Sequence, residues 1–73
     1  MALNLRTPVE LHESGDWAAD NAAGRELAKQ WLREMRDRNA PNLLGAAMKR
    51  IAEGGRWGGI EVGFTHAVAC SAM

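Results

Sequence analysis

His66 and Cys70 stand four positions apart, a spacing that on a helix brings an imidazole and a thiol to one side. Such a pair could begin a metal site or activate a nucleophile, but zinc wants three or four ligands and the nearest candidates, His12 and Glu13, come from the far end of the chain. Neither a Ser-His-Asp set nor a paired-carboxylate cleft accompanies it. Gly54, Gly55, Gly58 and Gly59 lack the spacing and the lysine of a phosphate-binding loop and read as turn residues. The expectation is a chain without catalytic machinery, resident metal or cofactor.

Recognition is the better-supported chemistry. Arg56 and Trp57 lie in a glycine-rich turn, and an arginine beside a large aromatic is the composition of a binding hot spot. The alternative is that Trp57 folds back to cover a small core. Arg25, Lys29, Arg33 and Arg36 line one helical edge that could meet an acidic protein surface or phosphates, or could be a solvated face softened by Glu26 and Asp37. Together Arg56, Trp57, Arg25, Lys29, Arg33 and Arg36 form the expected partner-binding set. A second, weaker surface around Val62, His66 and Ala69, with Met73 beyond, is the expected self-association face.

These side chains need a scaffold, and the hydrophobic spacing supplies one: an all-α single domain, a bundle of three to four helices with one longer than the rest. Thr7-Pro8-Val9-Glu10 has the pattern of a capping box with proline at the first helical position, predicting a short helix over 7–14 after an arm at 1–6. Gly15 stops it and Asp16 caps the next. Over 16–38, Leu27, Trp31 and Met35 recur at four-residue steps beside Ala28 and Leu32, with Trp17 and Gly24 on the same side. Trp17 and Trp31 are therefore expected in the core, and Gly24 marks where another helix approaches closely. Arg33 with Asp37 and Glu34 with Arg38 have ion-pair spacing.

Asn39-Ala40-Pro41 breaks that helix, because a proline ring disfavours helical geometry in the residue before it. Leu43, Leu44, Ala47, Met48, Ile51 and Ala52 then share one face of a helix over 41–53, ended by Gly54-Gly55. The segment 60–72 reads two ways: Ile60, Val62 and Phe64 alternate like a strand, while Ile60, Phe64, Ala67 and Val68 fall on one helical face. Helix is preferred, since a strand without a second to pair with leaves its backbone polar groups unsatisfied.

Size and charge limit the options further. At 73 residues, folding hides only about 60% of the unfolded surface, so the core is lean. Cys70 is the single cysteine, which excludes an intrachain disulfide and suits a reducing cytoplasm. No apolar run approaches the roughly 20 residues needed to span a bilayer. The net charge is zero but unevenly distributed: residues 1–20 hold Arg6 against Glu10, Glu13, Asp16 and Asp20, while cations dominate 25–56. Overall neutrality argues against strong nonspecific affinity for nucleic acid. A helix-turn-helix over 41–53 and 60–72 is the runner-up, though its second helix offers only Glu61, Thr65, His66 and Ser71 to a base edge, and Glu61 would repel phosphates.

At Gly55-Arg56-Trp57-Gly58-Gly59-Ile60-Glu61-Val62-Gly63-Phe64-Thr65-His66-Ala67 the chain resembles small proteins encoded by bacteriophages and prophages, a likeness that extends over Trp17 to Val68. Phage proteins of this size include inhibitors of host defence, anti-CRISPR proteins among them, which commonly act by occupying a surface of a larger complex. The resemblance implies a non-enzymatic protein that binds a host defence complex, such as a CRISPR effector, in the bacterial cytoplasm.

Overall fold

The computed structural model describes residues 6–71, so most of the expected N-terminal arm, residue 72 and Met73 lie outside the described residues. Three helices follow a single 3-10 turn at Pro8–Glu10: α1 at Trp17–Asp37, α2 at Asn42–Gly54 and α3 at Gly59–Ser71. There is no strand among the described residues. The segment that alternated like a strand is helical, and the expected boundaries of the three main helices are met within one residue wherever they are described.

Local chemistry explains where the helices start and stop. The Asp16 carboxylate accepts the Ala18 and Ala19 N–H groups at 3.0 and 3.3 Å, satisfying donors that the first turn of α1 cannot pair internally. After Asp37 the chain turns at Asn39, which takes φ of 50°, and Pro41 opens α2. Gly55 closes α2 in the left-handed region at φ of 72°, where a side chain is strained. Gly58 starts α3: its carbonyl accepts the Val62 N–H at 3.0 Å, and its own N–H donates to Glu61 at 2.9 Å.

The first expected helix is a correction. Thr7 does use Glu10 as anticipated, its N–H and hydroxyl both donating to Oε1 at 3.4 and 2.9 Å. Only one turn forms, however, and Leu11 is already extended at φ −86° and ψ 141°. The Pro8 and Leu11 carbonyls accept hydrogen bonds from the Arg56 guanidinium at 2.8 Å each, so tertiary contacts capture this segment before a second turn is made.

The core is built chiefly by α1 on α3. Leu27, Ala28 and Trp31 of α1, Ala47 and Ile51 of α2, and Phe64 of α3 form its buried cluster, with Leu43, Leu44, Met48, Ala67 and Val68 packed around it. Gly24 allows the close approach expected of it: a Cβ there would lie 2.0 Å from the Ile60 carbonyl oxygen. Gly63 does the same from the other side, at 2.1 Å from the Asn21 carbonyl oxygen. Gly59 packs at Trp17 and Asp20, Gly63 at Asn21, and the far ends meet where Lys29 and Leu32 face Cys70 and Ser71, so α1 and α3 run parallel. At 1.5 Å per residue the 21 residues of α1 reach about 31 Å, nearly the full 35 Å length of the molecule.

Parallel helices place two positive N-termini side by side, an arrangement that needs negative charge to be comfortable. Asp16 and Asp20 supply it for α1, and Glu61 for α3. Asp20 is buried and accepts the Ser14 N–H and hydroxyl at 2.9 and 2.8 Å, which fastens the preceding loop to the same end.

Candidate functional site

The exposed aromatic side chains mark the first candidate surface. Trp31 and Phe64 are buried, but Trp17 and Trp57 are 61% and 60% exposed. For Trp17 this corrects the sequence expectation. It is the first residue of α1 and meets α3 at Gly59, a residue with no side chain to cover it, so the indole stays largely in solvent. Trp57 is exposed to the same extent, although it borders core residues. It lines a shallow hollow of about 280 Å³ with Met48, Ile51, Ala52, Gly55 and Arg56, almost wholly apolar in character. Because Trp17 contacts Gly59 and Trp57 lies two residues before it, both indoles mark the same end of the molecule.

Under this surface lies a buried ion-pair network that the sequence did not reveal. Arg56, expected as a partner-binding residue, points inward: Nε donates to Glu61 Oε2 at 2.8 Å, and its two terminal nitrogens reach the Leu11 and Pro8 carbonyls. Glu61 is fully buried, and its second oxygen accepts the Gly58 N–H. Burial by itself pushes the Glu61 carboxyl upward. The hydrogen bond from Arg56, those from the backbone and the nearby positive charge outweigh it and hold the group below the ordinary glutamate range. Arg56 is raised in turn, first by its hydrogen bond to Glu61. Glu13 sits at the mouth, 3.5 Å from Arg56 Nε and partly exposed. Arg56 thus joins the N-terminal segment, the turn and α3, next in the chain to Trp57.

One signal for Glu61 was present in the sequence. Glu61 follows Gly58 by three residues, the same offset that links Thr7 to Glu10, and in both cases the carboxylate reaches back to the backbone N–H. Asp20 and Glu13 carried no comparable mark, because their partners are fixed by the way the N-terminal segment wraps the helix ends.

A second surface is the groove between α1 and α3, about 620 Å³, lined by Arg25, Glu26, Lys29 and Leu32 on one side and His66, Ala67, Cys70 and Ser71 on the other. The structure therefore brings together Arg25 and Lys29 from the expected basic edge with His66 from the expected self-association face. Arg33 and Arg36 are exposed farther along α1, outside this groove. Lys29 lies 3.7 Å from Glu26, and Glu34 pairs with Arg38, whereas the expected Arg33–Asp37 pair is absent among the described residues. Cys70 Sγ and His66 Nε2 are 3.5 Å apart. No three of His, Cys, Asp and Glu converge as metal ligands among the described residues. Of the self-association candidates, Ala69 is exposed like His66, Val62 is half-buried, and Met73 lies outside the described residues.

The polar candidates for base contact on α3 are distributed unevenly: Glu61 is buried, Thr65 half-buried, and His66 and Ser71 exposed. No helix among the described residues is long and apolar enough to cross a membrane. Among the described residues the fold is all-helical, with three helices and a 3-10 turn. Comparison with protein-family models, with curated proteins and with solved structures finds no match.

Proposed function

We propose that this domain is a protein-interaction module whose docking face is the end carrying Trp17 and Trp57. The observation that carries the proposal is the exposure of two of its three tryptophans at that one end, beside an apolar hollow. A lean domain of this size gains stability from every large apolar side chain it buries, so leaving two indoles in water is a cost to folding. Association recovers it: each indole withdraws on the order of 100 Å² from water, about 2–3 kcal/mol. Tryptophan is typical of binding hot spots, because little side-chain freedom is lost on docking.

The likeness of residues 55–67 to phage- and prophage-encoded proteins supports a particular setting, in which the module occupies a surface of a host defence complex such as a CRISPR effector. The output is binding, with no chemical step. Affinity capture from a bacterial host expressing such a complex, with wild-type and Trp57→Ala chains side by side, tests the proposal. A partner identified by mass spectrometry should be retained by the wild type, rebind it when purified, and be lost from the folded variant. Equal retention of every captured protein by the two chains refutes Trp57 as the docking residue.

A further inference from the structure

We infer that the aromatic end receives a basic, apolar segment of a protein partner, with a lysine or arginine side chain drawn to Glu13 while apolar side chains meet the exposed indoles. This rests on the docking role proposed above and adds the chemistry of what docks. The order of groups comes from three consecutive residues. Trp57 carries its own indole. A Cβ on Gly58 would fall 1.6 Å from Glu13 Oε1, and one on Gly59 would lie 3.3 Å from Trp17 Cδ1, so the carboxylate rests on Gly58 and the second indole on Gly59. Glu13 and Trp17 thus lie against neighbouring backbone positions, while the Trp57 indole, from the residue before them, borders the hollow beside α2.

The local charge selects the occupant. Arg56 is a cation at this end, with its guanidinium turned inward onto Glu61 and two carbonyls and its Nε 3.5 Å from Glu13, which it only partly neutralises. Around it stand the carboxylates of Glu61, Glu13 and Asp20, with Asp16 capping the adjoining start of α1. That leaves about three negative charges, which two helix N-termini at roughly half a positive charge each reduce to about two. Glu13 and Asp16 are the members exposed to solvent. An acidic segment is repelled here, whereas a cationic side chain is attracted both by the carboxylate and by the face of an indole.

The test is selection from a displayed library of random peptides against the full chain. Enriched peptides should pair lysine or arginine with large apolar residues, and their affinity should fall at least about tenfold on Trp57→Ala. Glu13→Gln combined with Asp16→Asn should weaken a selected peptide about three- to tenfold at low salt and less at high salt. Asparagine caps a helix as well as aspartate, so this variant keeps its fold, which circular dichroism checks. Peptides that depend on Trp57 without basic enrichment, or that bind the charge variant undiminished, overturn the cationic assignment and leave the docking role standing. Enrichment indifferent to Trp57, or none at all, overturns both.

Discussion

Replacing Arg56 by alanine should be among the most damaging single changes in the domain, although the residue sits in a surface turn. The substitution leaves the fully buried Glu61 carboxylate without its guanidinium and removes the donors to the Pro8 and Leu11 carbonyls. Breaking one partner out of a buried pair costs about 3–5 kcal/mol, and because the Arg56 side chain is 32% exposed, water can enter its place and the loss lies at the lower end, about 3 kcal/mol. For a domain of 73 residues, total stability is on the order of 4–11 kcal/mol, so a large share of it is lost. Urea unfolding followed at 222 nm should show it at pH 7, with Arg56→Lys intermediate because it keeps the charge but not the fork that reaches three partners. Arg56→Met combined with Glu61→Leu should recover most of the deficit, since the buried charge goes with its partner. The pH dependence has a definite sign. In the wild type the Glu61 carboxyl is held below its unfolded value, so its contribution is full above about pH 4.3 and fades as pH falls through the folded value. In Arg56→Ala the burial that remains favours the protonated form, so acidification narrows the gap between variant and wild type. A loss below about 1 kcal/mol at neutral pH, or a gap that widens in acid, refutes the reasoning.

Other expectations follow from the helix contacts and caps. Gly24→Ala and Gly63→Ala each drive a methyl group into a backbone carbonyl of the opposing helix, at 2.0 and 2.1 Å, and should each destabilise by about 3 kcal/mol or more in thermal unfolding. Gly45→Ala is the control of opposite sign: it lies inside α2 with open space around its Cβ and should stabilise by about 0.5–1 kcal/mol in the same measurement. Asp16→Ala removes the cap of α1 and should cost about 1 kcal/mol, while Asp16→Asn stays near wild type in denaturant midpoint. Acrylamide should quench the fluorescence of Trp17 and Trp57 readily and that of Trp31 poorly, resolved with chains retaining one tryptophan each.

The helices were legible in the sequence because their signals are local. The four-residue recurrence of Leu27 and Trp31, the Asp16 cap, the Asn39-Pro41 break and the Gly54-Gly55 stop each act within a turn or two of the residue that carries them. Gly24 was legible for the same reason: a missing side chain on an apolar stripe leaves room for whatever packs there. Which helix fills that room, and in what direction it runs, depends on the packing of whole elements. The parallel seating of α3 on α1 leaves Trp17 against a glycine that cannot cover it, and the wrapping of residues 8–11 around the turn converts Arg56 from an outward-facing contact into an internal tie across 45 positions of chain. Helix period and capping are properties of neighbouring residues, whereas the meeting of a guanidinium, a buried carboxylate and two distant carbonyls depends on how whole elements come to rest.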